Sequence, residues 1–293
     1  MTSVAFIGLG IMGGPMAGHL VKAGYDVVGY NRSPEPIQKL VAAGGRGAEN
    51  VPDAVRGGDV IITMVPDSPD VEALTTGENG IFTHADKGAL YIDMSSIRPD
   101  VSVRVAEAGR KAGLRVLDAP VSGGEAGAVE ASLSIMVGGE AADFEAARPL
   151  LDKLGKTIVH VGPAGSGQTV KAANQLIVAG NIQLLAEAIA FLEAYGVDMK
   201  AALEVLGGGL AGSTVLNRKG AGMLAREFQP GFRLTLHHKD LGIVQSAARE
   251  AGVAIPLGAV VSQLVGAMVA RGDGGLDHSG LLKLVLELSG RAG

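Results

Sequence analysis

The sequence predicts an α/β chain: a doubly wound sheet, one long helix between domains, and an all-α domain at the C-terminal end. Three observations carry the prediction. A short apolar run meets a glycine-rich turn and then a helical pattern at the start of the chain. From there, β-rich runs and helical patterns alternate to about residue 163. After that, one long Pro-free apolar run leads into helix-length amphipathic patterns with few β-branched stretches. Domain boundaries are expected at 1–163 for the sheet domain, 164–195 for the linking helix and 196–293 for the helical domain.

Bulk properties narrow the classes of partner. With 293 residues, 47% of them hydrophobic, the chain can bury a sizeable core in two domains. A formal net charge of −5 argues against nucleic acid and against an anionic membrane surface. The absence of Cys rules out disulfides and thiolate metal sites. The first residues, Met1 to Gly8, lack the basic and long apolar regions of a signal peptide. Residues 172–186 come closest to a membrane span, but Asn174, Gln175, Asn181 and Gln183 argue against lipid. A soluble cytoplasmic protein is expected, with no membrane, nucleic acid or metal partner.

Val4 to Ile7 is the first strand. Gly8-Leu9-Gly10-Ile11-Met12-Gly13 follows, then a helical pattern from Pro15 closed by Gly24, then a second strand from Asp26 to Tyr30. Strand, G-x-G-x-x-G, helix and strand in this order make the phosphate-binding unit of a Rossmann-type sheet. Gly8 permits the tight turn, Gly10 lets the backbone approach a pyrophosphate, and Gly13 lets helix and strand pack closely. The helix N-terminus then faces the phosphates. Ile11 and Met12 lie in the same turn and join the candidate cofactor residues. A carboxylate at the end of the second strand would bond the ribose 2′-OH of NAD; here stand Asn31, Arg32 and Ser33. The guanidinium suits a 2′-phosphate, so NADP is favoured over NAD. Arg32 stacked on adenine, and Asn31 bonded to a 2′-OH, remain the alternatives.

Further strands are expected over 59–65, 89–93, 115–118, 132–137 and 157–161, about eight in all, the later ones extending the sheet beyond six. Strand ends of an open parallel sheet line the ligand crevice, which nominates Met64, Val65, Pro66, Ser95 and Ser96 as cofactor-wall residues. Ser122-Gly123-Gly124, also past a strand end, has two readings. It is either a nest of N–H groups for an anion or a turn that needs positive φ.

The long helix opens near Gly167, with Ser166 as its expected N-cap, and runs to about Tyr195. Lys171, Asn174 and Gln175 are spaced to share one helical face. A lysine in an apolar helix is either a desolvated proton donor or a side chain that snorkels to water. Later helices are expected at about 198–206, 213–225, 239–251, 257–271 and 278–289, with 207–212 as a flexible loop. His237-His238-Lys239-Asp240 is expected to open one of them. Adjacent histidines face different sides of a helix, so no metal site is assigned to the pair. By itself Lys239 reads as part of a solvated face.

Taken together, the G-L-G-I-M-G-x-P-M-A run (8–17), D-A-P-V-S-G-G (118–124) and G-x-x-x-K-x-x-N (167–174) resemble the β-hydroxyacid dehydrogenases, nearly end to end. Ala173-Asn174-Gln175, Gly208 to Leu216, Pro230-Gly231-Phe232-Arg233, Leu236 to Leu241 and Asp277-His278-Ser279 look most like the tartronate semialdehyde reductase subgroup. The 3-hydroxyisobutyrate dehydrogenases are similar too, but typically carry Asn where this chain has Gln175.

The resemblance implies a reversible NAD(P)H-dependent reduction of a carboxylate-bearing aldehyde, with Lys171 as general acid/base and Asn174 beside it. It implies that Ser122, Gly123, Gly124, Asn174 and Gln175 contact substrate, and that Ser96 and Lys239 lie at the cofactor. Asn31, where the subgroup can carry Asp, departs from strict NAD use. Rival expectations are another β-hydroxyacid substrate or a scaffold that binds cofactor without chemistry. The apolar helical domain points to a homodimer or homotetramer.

Overall fold

The computed structural model describes residues 1–291. The chain forms two compact units, and the division falls between Lys171 and Ala172.

In chain order the first unit contains β1 (Ser3–Ile7), α1 (Gly13–Lys22), β2 (Asp26–Tyr30), α2 (Pro34–Ala42), β3 (Arg46–Gly47) and α3 (Val51–Val55). Next come β4 (Val60–Thr63), α4 (Ser68–Thr76), α5 (Ile81–His84), β5 (Leu90–Asp93), α6 (Pro99–Lys111) and β6 (Arg115–Asp118). It ends with β7 (Val121–Ser122), α7 (Gly124–Val129), β8 (Leu133–Gly139), α8 (Ala141–Leu151) and β9 (Gly155–Gly162). The sheet order is β3-β2-β1-β4-β5-β6-β8-β7, with β9 on β8. Pairing is parallel from β3 to β6; β8 then runs antiparallel to β6 and β7 and parallel to β9. This is the Rossmann order with an extension.

The strands are near-continuous apolar runs because both faces of the sheet are buried. Val4 and Phe6 of β1 pack in one core with Met16 and Leu20 of α1. Ala5 and Ile7 pack in the opposite core with Val55 of α3 and Val71 of α4. The chain reverses direction across β1, between β2 and β4, and the glycine turn leaves from the end of that strand. This is the switch point at which open α/β sheets bind ligands.

Two strands of two residues each, β3 and β7, were not expected, and β8 and β9 run longer than expected. The missed ends contain glycine, a residue that ordinarily argues against strand. Here glycine is required by close packing. A Cβ on Gly138 would lie 2.4 Å from Asp118 Oδ1, and one on Gly155 would lie 2.4 Å from the Leu133 carbonyl oxygen.

The helix α9 (Ser166–Ala194) spans 29 residues and begins at Ser166 itself. Ser166 therefore lies inside the first turn and is not its N-cap. Asp118, at the end of β6, takes the capping role: its Oδ1 accepts the Gly165 N–H at 2.7 Å and its Oδ2 the Gln168 N–H at 2.9 Å. Contrary to the sequence expectation, α9 is by length and composition alone apolar enough to cross a membrane. Of its most apolar stretch, 44% is buried inside the protein.

From Ala172 the second unit is helical: the rest of α9, α10 (Met199–Gly208), α11 (Thr214–Leu224), α12 (Leu234–Glu250), α13 (Pro256–Ala270) and α14 (Leu281–Leu288). Gly207 and Gly208 continue α10 instead of starting a loop. The helix α12 opens at Leu234, so His237 and Lys239 lie within it. Leu234 and Leu241 are both fully buried, seven residues apart, so the apolar face starts before the polar run. A short 3-10 turn, His278–Gly280, precedes α14.

Asp277, almost fully buried, accepts from Lys219 Nζ at 2.7 Å, from the Gly231, Phe232 and Ser279 N–H groups and from Ser279 Oγ. It ties the 230–232 loop to the C-terminal turn. Beside it, His278 Nδ1 and His237 Nδ1 lie 3.0 Å apart, so one donates and the other accepts. Burial, with His237 adding to it, pushes His278 down from 6.5 to about 3. The folded protein thus keeps His278 neutral at pH values where the unfolded chain would protonate it. That contribution is lost as the pH falls from 6.5 toward 3. In urea denaturation, the stability of His278→Gln relative to the unsubstituted protein should rise on acidification through this window, by up to about 1.4 kcal/mol per pH unit. A difference independent of pH would contradict a buried neutral histidine.

Candidate active site

The three turn glycines have different structural reasons. Gly8 has φ +98°, and a Cβ there would sit 2.2 Å from the Met64 carbonyl oxygen. A Cβ on Gly13 would lie 1.9 Å from the Gly8 carbonyl oxygen, so α1 can close onto β1 only with glycine there. Gly10 differs: a Cβ there would meet nothing within 4 Å. The protein's own packing does not require glycine at Gly10. The open space beside it fits the close approach of a phosphate to the backbone, so the turn suits a dinucleotide. Ile11 is largely exposed at this turn, whereas Met12 is partly buried against the core under α1.

At the end of β2, Asn31 is occupied with the turn itself. Its Oδ1 accepts the Leu9 N–H at 3.1 Å, and its Nδ2 donates to Ser33 Oγ at 2.8 Å and to the Ser33 carbonyl. It braces the glycine turn against the start of α2. Arg32 is the exposed cation of the trio: its side chain is 82% exposed and lies 3.8 Å from Asp70 Oδ1.

The wall residues hang on one buried network. Thr63 Oγ1 donates to Asp93 Oδ1 at 2.8 Å, the Ser95 N–H donates to the same oxygen, and the Val65 N–H donates to Ser95 Oγ. Met64 and Val65 are half-buried, Pro66 is exposed, Ser95 is buried and Ser96 is half-buried. Asp93 Oδ2 is buried with no hydrogen-bond partner. Burial pushes Asp93 up to about 6, against the bonds from Ser95 and Thr63, with Asp118 adding to the rise.

Lys171 lies one turn into α9 and is only 8% exposed, so it is a desolvated lysine and does not snorkel. The first turn before it is fixed by Asp118 and by Gln168. Gln168 Nε2 donates to the Ser95 carbonyl at 2.8 Å, and its Oε1 accepts the Ile97 N–H at 3.0 Å. Burial raises Asp118 above the usual carboxylate range even though it accepts backbone N–H groups of Gly165 and Gln168. Ser122 pairs with Ser134 in the sheet, and Gly123 and Gly124 have φ of +144° and +64°. The turn therefore takes positive φ at both glycines, and α7 begins at the second of them.

In the second unit, Asn174 Nδ2 donates to Gln175 Oε1 at 2.7 Å, and Gln175 Nε2 donates to Asp240 Oδ2. Asp240 also pairs with Lys239 Nζ at 2.8 Å. His237 is buried while His238 is exposed, as opposite faces of α12 require. Asp93, Asp118, Gln168 and Asp240 escaped the sequence reading. Asp118 and Gln168 do lie in or beside the motifs, but only the fold shows what they hold.

The glycines give a paired prediction. Gly13→Ala should lose about 1–3 kcal/mol of stability by overpacking, seen in urea denaturation. Gly10→Ala should unfold like the unsubstituted protein but bind NADPH at least about tenfold more weakly in fluorescence titration, roughly the loss of one charge-assisted bond. Unchanged affinity in Gly10→Ala would remove the pyrophosphate from this turn.

Comparison with known proteins matches two families in succession along the chain. Residues 3–162 match the NAD binding domain of 6-phosphogluconate dehydrogenase, and residues 165–285 match the NAD-binding family of NADP-dependent 3-hydroxyisobutyrate dehydrogenase. The chain is 43% identical over 285 residues to the 2-hydroxy-3-oxopropionate reductase of Escherichia coli, covering 97% of each chain. It is 38% identical to the NAD-dependent L-serine dehydrogenase of Pseudomonas aeruginosa, over 97% of this chain and 98% of that one. Its structure superposes on the Mycobacterium tuberculosis 3-hydroxyisobutyrate dehydrogenase with L-serine at a TM-score of 0.89 and 33% identity, over 97% of this chain and 99% of that one. The chain belongs to the 3-hydroxyisobutyrate dehydrogenase-like β-hydroxyacid dehydrogenases, NAD(P)-dependent oxidoreductases that act on hydroxy acids.

Proposed function

We propose that this enzyme reduces tartronate semialdehyde (2-hydroxy-3-oxopropanoate) to D-glycerate, reversibly, with NADPH preferred over NADH. The burial of Lys171 in the first turns of α9 carries the reading. The bound nicotinamide supplies a hydride to the aldehyde carbon. As the carbonyl π bond breaks, the Lys171 ammonium gives its proton to the oxygen, yielding a primary alcohol. It also stabilises the negative charge that develops on that oxygen. Lys171 is left neutral and regains a proton from solvent; in the oxidative direction it is the base.

Asn174 orients the substrate oxygen; its own amide donates to Gln175, whose amide in turn donates to Asp240. The Ser122-Gly123-Gly124 turn holds the substrate carboxylate, which sets the reacting carbon beside the hydride donor. Gly8, Gly10, Ile11, Met12 and Gly13 carry the pyrophosphate, with Met64, Val65, Pro66 and Ser96 as its wall and Lys239 as a cofactor-side cation. Arg32 holds the 2′-phosphate, because Asn31 is committed to the turn.

The subgroup reading rests on Gln175, where the Asp240–Gln175–Asn174 chain is built for the longer amide, and on the 43% identity to a 2-hydroxy-3-oxopropionate reductase. Oxidation of another β-hydroxyacid, such as 3-hydroxyisobutyrate or L-serine, is the second reading, supported by the similarity to an L-serine dehydrogenase. The helical domain also offers a self-association surface. Ile177, Leu184 and Phe191 recur every seven residues on α9, each about three-fifths exposed, in the pattern of a helix seam. A second copy of the chain is proposed to cover them. Sedimentation of Leu184→Glu should then show monomer where the unsubstituted protein shows dimer or tetramer.

Initial rates with tartronate, succinic and methylmalonate semialdehydes, each with NADPH and NADH, test the substrate. Tartronate semialdehyde with NADPH should be fastest in kcat/KM; equal rates on the longer aldehydes would reduce the assignment to a general β-hydroxyacid dehydrogenase. Arg32→Ala should cut the preference for NADPH roughly ten- to a hundredfold, the scale of a charge-assisted bond. An unchanged coenzyme ratio would place the 2′-phosphate elsewhere.

A further inference from the structure

Gln168 is 1% exposed, and its side-chain amide is committed at both ends. Its Nε2 donates to the Ser95 carbonyl and its Oε1 accepts the Ile97 N–H, so one primary amide pairs with the backbone on both sides of Ser96. Its own N–H is held by Asp118 Oδ2, and Asp118 Oδ1 holds the Gly165 N–H. The crowding around this junction is severe. A Cβ on Gly167 would lie 2.4 Å from the Met136 carbonyl oxygen and 2.7 Å from Asp118 Oδ2. The first turn of α9 is thus pinned to the end of β6 through Asp118 and to the loop after β5 through Gln168. Lys171 follows Gln168 by three residues, about one helical turn.

We propose that Gln168 and Asp118 are positioning residues, a two-point clamp that sets the Lys171 ammonium at a fixed offset from the Ser96 loop. The inference rests on the reading of Lys171 as proton donor. A lysine side chain is long and flexible, so proton transfer in register with hydride transfer requires its helix to be fixed relative to the strand-end loops. Loss of register by about 1 Å is enough to cost roughly a hundredfold in rate. The choice of Gln is specific: the site needs one acceptor for Ile97 and one donor for Ser95, and an amide of this length supplies both. A carboxylate supplies the acceptor but places a second negative oxygen against the Ser95 carbonyl.

Kinetics and cofactor binding of Gln168→Leu, Gln168→Glu and Lys171→Ala test the clamp. Gln168→Leu should lose roughly ten- to a hundredfold in kcat while its NADPH Kd and substrate KM stay within about threefold, as expected when register and not binding is lost. Gln168→Glu should show the same loss at high pH and recover as the pH falls, because the protonated carboxyl regains a donor for Ser95. Lys171 titrates in both enzymes, so the rescue is read in the ratio of the variant's rate to that of the unsubstituted enzyme. That pH-dependent rescue is a signature which general destabilisation does not produce, and it remains readable if Gln168→Leu does not fold. Near-normal kcat in Gln168→Leu, or a Gln168→Glu profile parallel to that of the unsubstituted enzyme, overturns the clamp. If Lys171→Ala also keeps its rate, the proton-donor reading fails first; if Lys171→Ala is inactive while both Gln168 variants are normal, the clamp alone fails.

Discussion

The carboxylate of Asp118 is the contact on which the arrangement of the first unit depends. It stands at the end of a central strand and accepts the N–H groups of Gly165 and Gln168, where α9 begins. Four N–H groups at a helix start have no partner within the helix, and the helix dipole favours a negative charge there. Helices such as α10 and α11 meet part of that need with their own N-cap side chains, Asp198 and Ser213. Here the cap comes from the sheet, so capping the helix also fixes its place on the sheet. Glycine at Gly138 and Gly167 is the consequence, because no Cβ fits between the strands, the carboxylate and the turn.

From that contact the chemistry follows by short steps. Gln168 ties the same turn to the loop carrying Ser95 and Ser96, and Asp93 ties that loop to β4 through Thr63 and to Val65 through Ser95. The ends of β4, β5 and β6 and the first turn of α9 therefore share one hydrogen-bonded frame within the first unit. For the proposed proton donor, rigid support of this kind would hold a flexible lysine in register with the hydride. The cost is visible in Asp93 and Asp118, whose burial raises both above the usual carboxylate range. In the second unit the corresponding frame is a carboxylate and two amides in series, Asp240, Gln175 and Asn174.

The α/β architecture, the strand–glycine–helix unit and the long helix were legible because each rests on local pattern: two-sided burial, φ > 0 at Gly8, and an unbroken apolar run without Pro. Residues whose reason is tertiary were not. Asp118 looks like any acid at a strand end until the fold places the start of α9 against it. Gln168 looks like a polar helix residue until its two loop partners are seen. Ser166 seemed the natural cap because it has a hydroxyl at the right place, yet an acid forty-eight residues earlier in the chain does that work. The ends of β8 and β9 were missed because glycine there reports crowding, not a break. Asn31 stands at the strand end where a ribose contact is expected; that its side chain also bonds Leu9 and Ser33 and so braces the turn is visible only in the fold.

The central claim is that Lys171 supplies the proton while the rest of the frame binds and orients. The most direct measurement is single-turnover oxidation of enzyme-bound NADPH by tartronate semialdehyde, followed by absorbance in the unsubstituted enzyme and in Lys171→Ala at saturating concentrations of both ligands. The account predicts equal NADPH affinity and a hydride-transfer rate lowered by about 10²–10⁴ in the variant, the usual contribution of a positioned general acid. Equal single-turnover rates would contradict it and move the proton donor to another group in the site.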